Sequence, residues 1–183
     1  MHMTTARIAS LSASPVHEFS KDGEEMLRLL AGFGVEGDAH GGDRVQHRSR
    51  VAIDPTQPNL RQVHLLHVEL LRELAQEGSS VGPGRLGENI LTEGLDLLGL
   101  PTGTRLTLGD EAEIEITGLR NPCKQIDSVD PNLLRRLAYR DESGELLRLA
   151  GVMAVVLTTG EIRTGDAIRV RLPEEPHRPL TPV

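Results

Sequence analysis

Apolar and polar positions change their spacing several times along the chain, and most of the changes fall at Gly, Pro or Asp. Residues 112–117 (AEIEIT) alternate strictly, which is the signature of a strand with one buried face. Residues 5–11, 62–66 (QVHLL), 105–108 and 167–172 also read as strands. Residues 152–157 (VMAVVL) are apolar almost throughout and read as a buried strand. Gly109-Asp110 marks a tight hairpin, and the same pair recurs at Gly165-Asp166 before the last strand. Helical spacing appears in 67–76. Residues 22–30 predict a short helix, with Asp22 as N-cap and Glu25 three residues on as its capping-box partner. Residues 131–139 predict another, with Asp130 as N-cap and Pro131 at the first position.

Short strands outnumber helices, and the segments between them are short and turn-rich. The expected architecture is mostly β with α (α+β): a closed or half-closed β-barrel with several peripheral helices. One domain is expected over 1–172, followed by a flexible Pro-rich tail at 173–183.

Composition narrows the function classes. With 183 residues, 38% apolar and 26% charged, the chain is long enough to bury a real core and too apolar to be disordered. Aromatic residues are 2% with no Trp, and the net charge is -7, so neither a stacking platform nor a duplex-binding surface is expected. The single cysteine excludes an internal disulfide. No apolar run approaches a membrane span and the start lacks a secretory apolar region, so a cytoplasmic protein with a reduced thiol is expected.

The chemistry gathers at that cysteine. In 118–124 (GLRNPCK), Cys123 follows a strand and a turn at Asn121-Pro122, between Arg120 and Lys124. Nearby cations favour the thiolate, the form that attacks electrophiles, carries a persulfide sulfur or binds a soft metal. The alternative is a small buried hydrophobe. Residues 34–42 (GVEGDAHGG) place four glycines and three ionisable groups in nine positions, a loop whose backbone can approach a ligand. Asp38 can orient His40 there, or the segment is an ordinary turn with solvated charges. Glu88 and Asn89 follow Gly87 and offer a carboxylate and an amide in a small space, or they cap a turn. His64 reads as a sheet residue and His67 as a helix-entry residue, since no cysteine or HExxH pattern accompanies them. The protonation of His40 and His47 depends on neighbours that the sequence does not place.

Several stretches occur in a set order: 34–40 (GVEGDAH), 62–66 (QVHLL), 83–90 (PGRLGENI), 94–97 (GLDL), Gly103 with 106–109 (LTLG), Arg120 with Pro122-Cys123, and Gly165-Asp166. Together they resemble the MOSC domain, the family named after the C-terminal part of molybdenum cofactor sulfurases, over about residues 6–171. The resemblance implies a barrel-like, mostly β fold in which the cysteine bears a persulfide or ligates molybdenum of a bound molybdopterin cofactor. Carried over by position, Cys123 is the reactive thiol, and Asp38, His40, Glu88 and Asn89 line the pocket around it. Arg120 matches the basic position upstream of the thiol and would hold a phosphate or carboxylate. Neither the aminotransferase-like part of the cofactor sulfurases nor the N-terminal β-barrel of the amidoxime-reducing members is visible, so short stand-alone bacterial members are the expected kin.

Three readings follow from this. In the first, Cys123 carries sulfur as a persulfide, with His40 or Glu88 moving the proton. A partner such as a cysteine desulfurase would load the sulfur. In the second, Cys123 ligates molybdenum for reduction of N-hydroxylated compounds, which needs a separate electron donor. A lyase or hydrolase acting on a small sulfur compound through Cys123 is a further enzymatic variant. In the third, the domain is a non-enzymatic binder of a pterin or other anionic small molecule, or an interaction module. Arg44, Arg48, Arg50 and Arg120 would then be anion contacts or, for the first three, solvated loop side chains. Arg44 and Lys124 are also candidate ligand contacts beside Cys123 in the enzymatic readings.

Overall fold

The computed structural model describes residues 5–46 and 48–183. His47, whose protonation was in question, and the side chain of Arg48 lie outside the described residues. The chain begins with β1 (Arg7–Ala13), β2 (Asp22–Glu24), β3 (Met26–Leu30), β4 (Gly34–Val35) and the short α1 (Arg48–Val51). Next come β5 (Val63–His67), α2 (Val68–Gln76), β6 (Ile90–Glu93), β7 (Arg105–Leu108) and β8 (Ala112–Leu119). A 3-10 turn (Lys124–Ser128) leads to α3 (Leu133–Leu137), β9 (Ala138–Arg140), β10 (Leu146–Arg148), β11 (Val152–Thr158), β12 (Gly160–Arg163) and β13 (Ile168–Arg171).

An eight-stranded sheet in the order β13-β7-β8-β11-β5-β6-β1-β2 dominates. Its one parallel pair is β5 with β6, and α2 supplies the crossover that a parallel connection requires. A three-stranded sheet, β12-β3-β4, covers one face. The apolar spacing explains this layering. On β5, Val63 and Leu65 enter the core shared with Leu27, Leu29 and Ile162 of the small sheet. Leu66 enters a second core with Leu70 and Leu74 of α2, Ile126, and Leu133 and Leu137 of α3. A run that feeds both cores has to be apolar on both faces, which is why 62–66 barely alternates. His64 lies on the same face as Leu66 and is also buried.

The mostly β architecture holds, but no sheet is closed into a barrel. The sheet's ends approach through an isolated bridge between Arg7 and Ala167, with Ile168 N donating to Ala6 O (2.8 Å). β13 is only four residues long, and β2 continues the sheet beyond β1, so no ladder forms across the seam.

Two predicted helices are corrected. Residues 22–30 form β2 and β3. Gly23 disfavours a helix there, and Leu27 and Leu29 are buried on either side of exposed Arg28, a two-residue period. Of 131–139 only Leu133–Leu137 is helical. Asn132 sits at φ 67, and no side chain of Asn132 or Asp130 caps the turn; Asp127 Oδ1 accepts from Leu134 N instead (2.8 Å). Residues 173–183, expected as a flexible tail, lie against the domain. Arg178 O accepts from Thr102 N, Thr181 O accepts from Leu119 N, and Val183 N donates to Leu119 O. Leu180 packs on the main core, which gives the segment apolar contact as well as backbone bonds. Among the described residues, no helix is long and apolar enough to cross a membrane.

Candidate functional site

The cysteine loop is aimed by what precedes and follows it. β8 ends at Leu119, and Arg120 N donates to Gly151 O (3.0 Å), tying the exit to the start of β11. After Asn121-Pro122, Ile126 N donates to Cys123 O and the Ile126 side chain plugs the second core. Cys123 is thereby left on the surface, exposed, with its thiol donating to Gln125 Oε1 at 3.7 Å. The buried-hydrophobe alternative is therefore excluded.

Cys123 borders a cavity of about 630 Å³ that Arg50, Arg61, Arg120, Lys124 and His40 also line. Lys21 reaches the same cavity, and Glu18 is the only acidic side chain on its wall among the described residues. Although the chain has a net charge of -7, five cations among the described residues line the cavity that the thiol borders. This volume suits a small organic ligand.

Behind the wall lies a polar hub centred on Asp38, which is 6% exposed. Its Oδ2 meets Lys21 Nζ at 2.9 Å and accepts from Asn89 Nδ2 (3.0 Å) and Ser14 N (3.3 Å). Its Oδ1 accepts from His40 N (2.9 Å) and faces His40 Nδ1 at 3.4 Å. Burial pushes the Asp38 carboxyl up, but His40 and Lys21 outweigh it and hold the group well below the ordinary carboxylate range. Burial draws the Lys21 ammonium down, while Asp38 opposes it. An ion pair this enclosed keeps its charges only because its oxygens are hydrogen-bonded as well. The His40 ring packs edge-on against His17, with centroids 5.2 Å apart.

Asn89 is a cross-link. Its Oδ1 accepts from His64 N and its Nδ2 also donates to Ser12 O (3.1 Å each), so β1, β5 and the Asp38 loop share one amide. His64 Nε2 bonds Ala150 O at 2.7 Å. Burial first, then the charge of Arg120, hold this imidazole well below its ordinary range, and against a carbonyl oxygen its Nε2 is the donor. Gly151 makes the close packing possible: at φ 87, a Cβ would lie 2.1 Å from Leu65 O and 3.0 Å from His64 Nε2.

Arg120 stacks over Phe19, 5.2 Å from the ring centroid, and donates to Leu86 O at 2.7 Å. Burial lowers its pKa, opposed by Cys123 and Glu88. Arg61 is less anchored. Its Nε is buried without a hydrogen-bond partner among the described residues. Burial, then the charges of Arg50 and Arg120, pull its pKa down to about 10.

The residues predicted from the sequence divide accordingly. Cys123, His40, Asn89, Arg120 and Lys124 line the cavity, and Asp38 supports it from behind. Glu88 does not line it. Its side chain turns back so that Oε1 accepts from Gly84 N, Oε2 is buried without a partner among the described residues, and burial raises its pKa. It stabilises the glycine loop. Arg44 is exposed on a loop bridged to Pro58, away from the lining. Sequence reasoning missed Lys21, Arg61 and the buried role of His64. Lys21 stands just before the segment expected to be a helix, and Arg61 just before an expected strand, positions that carry no local sign of a cavity. Among the described residues, no group of three or more His, Cys, Asp or Glu side chains could hold a metal ion.

The MOSC domain profile matches residues 36–169, and the chain belongs to the MOSC domain family. Its fold is similar to that of the YuaD protein from Bacillus subtilis: TM-score 0.77, 24% identity, 93% of this chain and 98% of that one. It is similar also to YiiM from Geobacillus stearothermophilus (TM-score 0.63, 16% identity, 91% of this chain and 75% of that one). YiiM from Escherichia coli gives a TM-score of 0.61 at 18% identity, over 94% of this chain and 73% of that one. No curated protein matches the sequence.

Proposed function

We propose that Cys123 is a sulfur carrier that accepts a sulfur atom as a persulfide and passes it to an acceptor. The observation that carries this reading is the exposed thiol at the edge of a cavity walled by Arg50, Arg61, Arg120 and Lys124. In loading, the Cys123 thiolate attacks the outer sulfur of a persulfide donor such as a cysteine desulfurase. The donor's S–S bond breaks, the donor leaves as a thiolate, and Cys123 holds the new S–S bond. In delivery, an acceptor nucleophile takes the outer sulfur and Cys123 leaves with the bonding pair. Arg120 and Lys124 stabilise the sulfur anion in both steps, and His40, oriented by Asp38, exchanges the proton with the acceptor.

The test is intact mass after incubation with a cysteine desulfurase and cysteine. A gain of one sulfur atom is expected for the wild type and not for Cys123→Ala. A wild-type protein that stays unmodified overturns the reading.

A second reading is favoured by the cationic wall together with the unpartnered Nε of Arg61. These suit the anionic groups of a molybdopterin cofactor, and Cys123 is a soft ligand suited to its metal. The cofactor would supply redox chemistry, such as reduction of N-hydroxylated compounds with electrons from a separate donor. Arg50, Arg61, Arg120 and Lys124 would hold the cofactor's anionic groups and Cys123 would be its thiolate ligand. Molybdenum retained stoichiometrically by protein expressed in a molybdopterin-competent host, and lost in Cys123→Ala, would favour this reading over metal-free sulfur carriage.

A further inference from the structure

Arg50, Arg61 and Arg120 share the cavity with Cys123, yet none of the ion pairs among the described residues involves them or Lys124. The fifth cation, Lys21, is neutralised by Asp38. Arg120 commits one N–H to Leu86 O. The buried Nε of Arg61 has no partner among the described residues. Arg61 shares the cavity with Arg50 and Arg120 and feels the charge of both, a repulsion that an entering anion would relieve. Planar N–H forks match a tetrahedral oxyanion better than ammonium groups do.

An anion in this cavity lies beside a thiol that, on the sulfur-carrier reading, takes up sulfur. A phosphate there offers the thiolate nothing to attack. A thiosulfate-type anion does, because its outer sulfur is electrophilic and the oxyanion to which it is bonded is the leaving group. We propose that Arg50, Arg61 and Arg120 hold the oxyanion end of a thiosulfate or organic thiosulfonate donor and present its outer sulfur to Cys123, with Arg61 selecting the oxyanion.

In that step the Cys123 thiolate attacks the outer sulfur, the donor S–S bond breaks, and sulfite or a sulfinate leaves with the bonding pair. The product is the Cys123 persulfide anion. Charge and electrons balance without an added oxidant or reductant. The arginines bind the donor and stabilise the charge that grows on the leaving oxyanion. A cavity of about 630 Å³ leaves space beyond the oxyanion for an organic substituent. The inference rests on the sulfur-carrier reading but removes the need for a protein donor.

The experiment incubates the whole chain with thiosulfate and measures released sulfite together with intact mass. Wild type is expected to gain one sulfur on Cys123 for each sulfite released, and sulfate is expected to slow the reaction competitively. Arg61→Ala is expected to load from thiosulfate about ten- to a hundred-fold more slowly, the effect of losing hydrogen bonds to a charged group. Arg61→Lys should fall between. Loading of the wild type from a cysteine desulfurase should be unaffected by sulfate, and unchanged urea midpoints of the two variants show that they fold. Wild-type loading from the desulfurase but not from thiosulfate overturns this inference and leaves the sulfur-carrier reading standing. So does thiosulfate loading that is indifferent to sulfate and to Arg61→Lys. Loading from neither donor overturns both.

Discussion

The two charged regions that meet at the cavity are built in opposite ways. Around Asp38 both carboxylate oxygens are engaged, Lys21 is matched at 2.9 Å, and Asn89 links the pair to β1 and β5. Around Arg61 the charges share a sign, and a buried N–H lacks a partner among the described residues. The first arrangement spends its interactions on holding loops together. The second leaves them for something that arrives from outside. A buried polar residue near a cavity is thus not evidence of chemistry by itself; what matters is whether its hydrogen-bonding capacity is already used.

The comparison breaks most sharply at Asp38. Asp38→Ala strands the Lys21 ammonium, whose side chain is 3% exposed, and is expected to destabilise the fold by about 3–5 kcal/mol. Urea denaturation checks this, and a loss well under 1 kcal/mol would mean that the hub is not structural. Gly151→Ala is next, at about 2–3 kcal/mol, because a Cβ at φ 87 is strained and meets Leu65 O. A smaller effect comes from pH. Burial and the Arg120 charge depress the folded-state pKa of His64, so below about pH 6.5 the unfolded chain takes up a proton that the folded chain does not. Stability should therefore fall on acidification from about pH 6.5 by up to about 1.4 kcal/mol per pH unit. Burial raises the pKa of Glu88, which works in the opposite direction as the pH drops. The diagnostic is hence the difference between wild type and His64→Gln, whose profile should lack the His64 component. The smallest effect is at the thiol: Cys123→Ser should leave the urea midpoint unchanged, since the side chain is exposed and packs against no core. A clear loss of stability there would return Cys123 to a structural role.

The strands that alternate strictly were legible, as 112–117 shows, because one face of β8 is buried against the core. Short pieces whose identity depends on a distant partner were not. β3 is a strand because β12 pairs with it (Arg28 with Glu161), and nothing local to 22–30 announces that partner. The open sheet was illegible for a related reason, since strand count and turn spacing do not say whether two edges meet. At the site, Cys123, Asp38, His40 and Asn89 were found through an ordered set of motifs. Lys21 and Arg61 were not, because a lone cation before a strand looks the same whether it faces solvent or a cavity. Glu88 looked like Asn89 in sequence, but its carboxylate turns back to Gly84 N, and of the two only Asn89 reaches the cavity wall.

Gly118 has no room for a side chain because Thr181 O would lie 2.3 Å from its Cβ, and Val183 N bonds Leu119 O. One residue separates that junction from Arg120. An affinity tag attached at Val183 would emerge beside the exit of β8 and compete with the pairing at Leu119. A handle placed ahead of β1 leaves that pairing intact for assays at Cys123.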